Sequence, residues 1–173
     1  DYYNYLNIWN EIAPFDPSNF GMQLSYLESG FVLLLSFLKV FTSSSVAMYL
    51  VLGIIPMLFL YLALKDNRDI NAILALMVYF STFYISYAFN AMRQCIAMSI
   101  FLYSIKYYRQ RNIKKVILLA IIATLFHVTG LLILLGYLLF VFGDKPGLIF
   151  TIGFIVAFIL SSLHISSGLV YIL

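Results

Sequence analysis

The chain has 173 residues, of which 64% are hydrophobic and only 10% are charged. A soluble domain of this length cannot bury so much apolar surface, because surface grows nearly as fast as volume at this size. The formal net charge of +3 comes mostly from one short basic segment, so we do not expect a nucleic-acid partner. The composition predicts an all-α, polytopic transmembrane bundle of about five to six helices in a lipid bilayer.

The N-terminal region, residues 1–28, is polar, and its prolines and Gly21 predict turns and short helices. Its tyrosines and Trp9 are typical of a membrane–water interface. The apolar segment 30–41 extends roughly 18 Å as a helix, too short for a hydrocarbon core of about 30 Å. We therefore expect residues 1–45 to form an outer loop and an interfacial or re-entrant helix. Residues 46–173 would hold the membrane spans of a single transmembrane domain, 1–173.

The spans predicted after this point follow the apolar segments in chain order. They are residues 46–64, 70–89, 91–105 and 148–163, with polar turns at 65–69 and 143–147. The apolar segment 116–142 is too long for one simple span, so it should tilt or break near Gly130. Because Asp1 is not a methionine and the chain ends inside an apolar segment, we expect a fragment that lacks an N-terminal helix and a C-terminal half.

The basic segment, residues 106–115, predicts the orientation. It carries five lysines and arginines, and such segments remain on the cytoplasmic side. Counting one span back places Arg93 on the outer side. Counting three spans back places residues 1–28 outside, provided that segment 30–41 does not cross the membrane.

Arg93 lies where a lipid-soluble chain should avoid charge. Asn90, Arg93, Gln94 and Ala97 are spaced by three and four residues and would share one helical face. A polar and small stripe of this kind faces protein or a watery cavity, and a guanidinium there offers a fork of donors suited to phosphate oxygens. The alternative is an interface arginine that extends to lipid headgroups.

His127 interrupts a second apolar segment, on a predicted stripe with Ala120 and Thr124. A neutral imidazole there could accept a proton from a hydroxyl, or simply bond a neighbouring helix. Metal binding is not expected, because the other histidine is His164 and no thiol or carboxylate lies at ligand spacing.

Helices flanking the basic turn would form an antiparallel hairpin. Arg93 and His127 would then lie at matched heights, roughly 18–20 Å above the cytoplasmic anchor. We therefore expect both side chains to point into one polar cavity that opens outward.

Two neighbouring segments, FNAMRQCIAMSIFLYSIKYYRQR and KKVILLAIIATLFHVTG, resemble the EpsG family. These bacterial membrane proteins are Wzy-like proteins of exopolysaccharide and capsule production. The family pattern is Arg-Gln followed by a small residue, a basic turn, and an Ala-rich helix ending in Phe-His-x-Ser/Thr. Here the pattern falls on Arg93, Gln94, His127 and Thr129, while DYYNY and ESGFVLL are similar to the family's N-terminal part. Thr129 and Gly130 stand where Ser and Ala are more usual.

The resemblance implies a glycosyltransferase-type polymerase in the bacterial cytoplasmic membrane. It would join polyprenyl-diphosphate-linked oligosaccharide units at the outer face, alongside other polysaccharide-assembly proteins. No cofactor is implied, because the diphosphate already activates the donor. The catalytic candidates are Arg93, His127, Asp1 and Glu28, and the substrate-binding candidates are Asn90, Gln94, Thr129, Tyr2 and Tyr5.

Arg93 would hold the diphosphate, and His127 or a carboxylate would deprotonate the attacking hydroxyl. Two other classes stay open: a ligase or acyltransferase of surface polysaccharide, and a non-enzymatic transporter or assembly subunit whose polar residues line a path.

Overall fold

The structure, a computed structural model, describes residues 2–18, 26–65, 71–143, 147, 151 and 153, and every element among them is helical. The α-helices in chain order are α1 (Tyr2–Glu11), α2 (Ser29–Phe41), α3 (Ser45–Lys65), α4 (Ala72–Val78), α5 (Ile85–Asn90), α6 (Met92–Arg109), α7 (Ile113–Thr124) and α8 (Leu132–Val141). A π-helical segment, Tyr79–Tyr84, joins α4 to α5, and a 3-10 helix, Val128–Leu131, precedes α8. Contacts group residues 1–134 in one compact unit and residues 135–173 in another. The candidate site lies in the first unit, and the prediction of a single domain stays a prediction.

Helix α6 is the centre of the first unit and packs against both α3 and α7. Its small residues Ala97, Ser99 and Ser104 are fully buried, which lets the neighbouring helices approach closely. Ser99 donates to the carbonyl of Ile96 and Ser104 to that of Phe101, each at 2.7 Å. These bonds satisfy the hydroxyls inside the helix, so the polar residues cost little in an apolar core.

Helix α3 has two apolar faces, and only one of them touches the protein. The buried face consists of Met48, Leu52, Pro56 and Leu60. The exposed face consists of Val46, Leu50, Ile54, Leu58 and Tyr61. Large apolar side chains in such a stripe are unfavourable in water and suited to hydrocarbon. Among the described residues, α3 is the one helix long and apolar enough to cross a membrane.

The other predicted spans have counterparts that the structure divides differently. Segment 70–89 is built from α4, the π-helical segment and α5, and segment 91–105 lies within α6. Helix α6 carries three cations, Arg93, Lys106 and Arg109, and does not meet the criterion of a long, nearly uncharged span. The predicted number of spans is therefore not confirmed. The turn at 66–70, most of the turn at 143–147 and the span at 148–163 lie outside the described residues.

The basic segment is mostly helical rather than a loop, which corrects the prediction for residues 106–115. Helix α6 continues to Arg109 and α7 begins at Ile113, so the turn is only residues 110–112. Cations in the last turn of α6 interact favourably with the negative end of its dipole, and this favours continuation of the helix. Arg111 takes a left-handed conformation with φ 50°, and the Asn112 side chain caps α7 by accepting from the backbone N–H of Lys115 at 3.2 Å.

The long apolar segment breaks where the sequence predicts, beside Gly130. Helix α7 has 12 residues and ends at Thr124, which gives it a length of roughly 18 Å. Beyond it the chain returns toward the C-terminal part of α6. The contact that shows this is a hydrogen bond from the Tyr108 hydroxyl to the carbonyl of Ile133 at 2.6 Å. Residues 113–134 thus form a hairpin with His127 at its apex. The predicted helical stripe through His127 is wrong, since the helix ends three residues earlier.

We expect the turn at residues 110–112 to face the cytoplasm and α1 to face outside, because lysine and arginine favour the cytoplasmic side. Gln110 and Asn4 are both exposed, and Cys95 is buried. Single cysteines at these two positions, in a Cys95→Ala background, can be treated with a membrane-impermeant maleimide. Intact cells should label Asn4→Cys, and Gln110→Cys should react only after permeabilisation. Labelling of Gln110→Cys in intact cells would reverse the orientation.

Candidate functional site

Glu28 begins α2 and pairs with Arg93. Its carbonyl accepts the N–H groups of Phe31 and Val32, both at 3.1 Å, whereas its side chain makes no capping bond. The carboxylate is therefore available for the ion pair, in which Oε2 of Glu28 accepts from Nη1 of Arg93. Both side chains are about one-quarter exposed. Glu28 is thus part of a half-buried charge pair rather than a solvated loop charge.

Arg93 is enclosed on several sides but keeps unused donors. The Tyr5 hydroxyl interacts with the guanidinium, and the central carbon of the guanidinium lies 5.9 Å from the centre of the Phe31 ring. The Nε atom is buried and has no hydrogen-bond partner among the described residues. A guanidinium offers five N–H donors, so the pair with Glu28 leaves capacity to bind an anion.

A backbone break at Ala91 places Arg93 in the first turn of α6. Helix α5 ends at Asn90, Ala91 leaves the helical conformation with φ −137° and ψ 59°, and α6 starts at Met92. The predicted stripe is therefore interrupted, and Asn90 does not share a helical face with Arg93. The first N–H groups of α6 have no partner within the helix, and they carry the positive end of its dipole. Arg93 and the helix end both favour a negative charge at this place.

His127 is fixed by the turn that it begins. Its backbone is extended, with φ −165° and ψ 144°, and it is the N-terminal cap of the 3-10 helix. Nδ1 of the ring accepts the backbone N–H of Thr129 at 3.3 Å and lies 3.0 Å from the Thr129 hydroxyl. Gly130 closes the turn by donating to the His127 carbonyl at 2.9 Å. An added Cβ at Gly130 would lie 2.8 Å from Cβ of Ala123, so the turn requires a glycine there.

Gly30 connects the ion pair to the His127 turn. Its N–H donates to the Leu125 carbonyl at 2.9 Å, so a free donor at the start of α2 meets a free acceptor at the end of α7. Glu28 precedes Gly30 by two residues and His127 follows Leu125 by two, so each lies within about 7 Å of this contact along its own backbone. The contact thus links the segments that carry two of the catalytic candidates. The feature of the sequence that could have indicated this contact is the ESG stretch, which places Gly30 at the start of a predicted helix.

A cavity of about 690 Å³ lies beside the start of α6. Its lining consists of Tyr2, Val46, Tyr49, Leu50, Gly53, Ile54, Met57, Tyr84, Asn90 and Met92. The substrate-binding candidates Tyr2 and Asn90 contribute to it, whereas Arg93 and His127 do not. Two of the lining residues are joined, since the Tyr49 hydroxyl donates to the Tyr2 carbonyl at 2.9 Å. The shared cavity of Arg93 and His127 stays a prediction.

The remaining candidates are placed as follows. Tyr5 is buried, with its ring 6.0 Å from that of Phe31, and supports Arg93 instead of facing solvent. Gln94 is half-buried beside Arg93 in α6, and Thr129 holds the imidazole. Asp1 lies outside the described residues. Within the described part of the chain, no group of three histidine, cysteine or carboxylate side chains is arranged to hold a metal ion.

Lys39 has a structural role that the sequence does not reveal. Its ammonium donates to the carbonyls of Trp9 and Ile12, the latter at 2.6 Å, and so binds the C-terminal end of α1. Partial burial lowers the pKa of this ammonium. Trp9 is itself buried and donates to the Ser43 carbonyl at 3.0 Å. These contacts fix α1 against α2, and α1 in turn supplies Tyr5 to Arg93.

The described part of the chain is thus helical, with one helix able to cross a membrane and a half-buried arginine–carboxylate pair where two helices begin. The chain belongs to the EpsG family, whose model matches residues 1–173, and this confirms the resemblance seen in the motifs. The family is associated with exopolysaccharide biosynthesis. No curated protein and no solved structure matches the chain.

Proposed function

We propose that the chain is a polymerase that joins polyprenyl-diphosphate-linked oligosaccharide units at the outer face of the bacterial cytoplasmic membrane. The observation that carries the proposal is Arg93, held at the start of α6 with a buried Nε that has no partner in the described part of the chain. Membership in a family of exopolysaccharide biosynthesis supplies the substrate class. The exposed apolar face of α3 supports a position in lipid, where a polyprenyl carrier is dissolved.

In the proposed reaction, a hydroxyl of one unit attacks the anomeric carbon of the other. A carbon–oxygen bond forms there, and the bond from the same carbon to the diphosphate oxygen breaks. The electron pair of the broken bond leaves with the polyprenyl diphosphate, and the hydroxyl proton passes to a base. Charge accumulates on the leaving diphosphate, and donors that are already in position stabilise it best. Arg93 and the first N–H groups of α6, which have no partner within the helix, would supply such donors.

Glu28 has a second role in this scheme. While no substrate is bound, it compensates a cation that lies unfavourably at the positive end of a helix dipole. A diphosphate that takes over the Arg93 donors would release the carboxylate from its partner. Glu28 is then available to accept the hydroxyl proton, and the contact through Gly30 keeps it near the His127 turn.

Purified chain in phospholipid vesicles, supplied with lipid-linked repeat units from the producing strain, tests the polymerase directly. The expected result is a ladder of polymer on a gel, with one polyprenyl diphosphate released for each new linkage. Units that cross the bilayer without forming a ladder would indicate a transporter. Transfer only to an unrelated acceptor would indicate a ligase. Either result would overturn the proposal.

A further inference from the structure

The protonation of His127 can be read from its hydrogen bonds. A backbone N–H can only donate, and that of Thr129 lies 3.3 Å from Nδ1. Nδ1 must therefore present a lone pair, and the Thr129 hydroxyl, 3.0 Å away, donates to the same atom. A neutral imidazole has one N–H, so the proton is on Nε2. Within the described part of the chain, Nε2 makes no hydrogen bond.

We propose that His127 binds substrate as a hydrogen-bond donor through Nε2–H, and that Thr129 is the positioning residue that fixes this tautomer. The inference rests on the proposed function and assigns the imidazole a different task from proton acceptance. A ring whose Nδ1 is occupied and whose Nε2 already carries a proton has no lone pair to offer an attacking hydroxyl. Of the described candidates, Glu28 remains to receive that proton.

The ligand of Nε2–H is an oxygen of the same diphosphate that Arg93 binds. The contact between Gly30 and Leu125 brings the His127 turn to the start of α2, where Glu28 holds Arg93. Hydrogen bonds to an ionised acceptor are shorter and stronger than neutral ones. His127 lies at the apex of a hairpin, and non-helical backbone at membrane depth is tolerated only inside protein or beside a watery cavity. The unused N–H donor and the non-helical turn both suit a site for a charged headgroup.

Two variants of His127 separate the donor from the acceptor. His127→Gln keeps an N–H donor near the position of Nε2, whereas His127→Asn keeps an acceptor near Nδ1 and lacks the distal donor. In the vesicle assay we expect the asparagine variant to polymerise about 10- to 100-fold more slowly than wild type, the loss typical of one hydrogen bond to a charged group. The glutamine variant should retain most of the rate. Equal inactivity of both, with normal amounts of folded protein, would overturn the donor role.

Spectroscopy tests the tautomer without any substrate, and so independently of the proposed function. The chain has two histidines, so His164→Asn leaves His127 as the single source of imidazole signals. Solid-state NMR of the full chain in vesicles, labelled with ¹⁵N-histidine, should show a protonated Nε2 and an unprotonated Nδ1. The opposite assignment would overturn the proposal even if the chain proves to be a polymerase.

Thr129 variants give the matched comparison. Thr129→Ser keeps the hydroxyl, whereas Thr129→Val removes it and keeps the backbone N–H. We expect the valine variant to show a modest rise in the tautomer protonated at Nδ1, because it loses one of the two donors to Nδ1 while the backbone N–H of residue 129 remains. Its polymerisation rate should fall in proportion. The serine variant should resemble wild type in both measurements. An unchanged tautomer ratio in the valine variant would show that the Thr129 hydroxyl does not fix the tautomer.

Discussion

Replacing Arg93 with alanine should lower polymer formation by at least about 100-fold, the loss typical of removing one preorganised donor from a site of developing charge. Arg93→Lys should recover only part of the activity, because an ammonium cannot form the paired N–H contacts of a guanidinium. The measurement is the rate of ladder formation in vesicles, together with polymer length in cells. Normal polymer from the alanine variant would show that the arginine has no role in the reaction.

Arg109→Lys is the matched control, since Arg109 lies on the same helix but at its opposite, exposed end. It should polymerise at the wild-type rate. If both lysine variants behave like wild type, a point charge at residue 93 is sufficient, and the prediction of a bidentate contact is wrong.

A double variant separates diphosphate binding from the ion pair itself. Removing one member of a partly buried pair leaves the other without a partner, and this alone destabilises a protein. If the pair has only a structural role, the combined Glu28→Ala and Arg93→Ala variant should regain activity relative to Arg93→Ala. In the proposed scheme the double variant stays inactive although its stability recovers, because it lacks both the diphosphate donor and the base.

The sequence predicts the helical architecture because lipid solubility requires long apolar segments, and such segments can be recognised directly in a sequence. The bounds of α3 differ from the predicted span by one residue at each end. The break beside Gly130 was also predictable, since the apolar segment exceeds one span. The extension of α6 to Arg109 was not predictable, because a cluster of cationic residues in sequence is typical of a loop. In the structure the same cations stabilise the C-terminus of the helix.

The site was less accessible from the sequence. Arg93 and His127 stand out as costly polar residues in apolar surroundings, and the structure brings their neighbourhoods together through Gly30. The prediction used a regular helical spacing for both residues, whereas the structure breaks the helices at Ala91 and Leu125. Glu28 and Arg93 are separated by 65 residues in the chain, and no local sequence pattern predicts such a contact.

Gly30→Ala should destabilise the fold and abolish polymer formation together. A Cβ at this position would lie 2.7 Å from both the Cβ and the carbonyl oxygen of Leu125, well inside van der Waals contact. The carbonyl oxygen and its carbon, the latter at 3.0 Å, are backbone atoms and cannot rotate away, so α2 must separate from α7. Overpacking of this kind costs about 1–3 kcal/mol, and loss of the hydrogen bond from Gly30 to Leu125 adds about 1 kcal/mol.

Gly53→Ala is the control for this effect. Gly53 lies within α3, and among the described residues its added Cβ would meet only the Tyr84 hydroxyl, at 3.3 Å and at the end of a side chain. Alanine favours a helix over glycine by about 1 kcal/mol, so this variant should unfold at or slightly above the wild-type temperature in detergent. Gly30→Ala should unfold several degrees lower. Wild-type stability and activity in Gly30→Ala would mean that α2 does not dock on the His127 turn, and Glu28 and His127 would then have no common site.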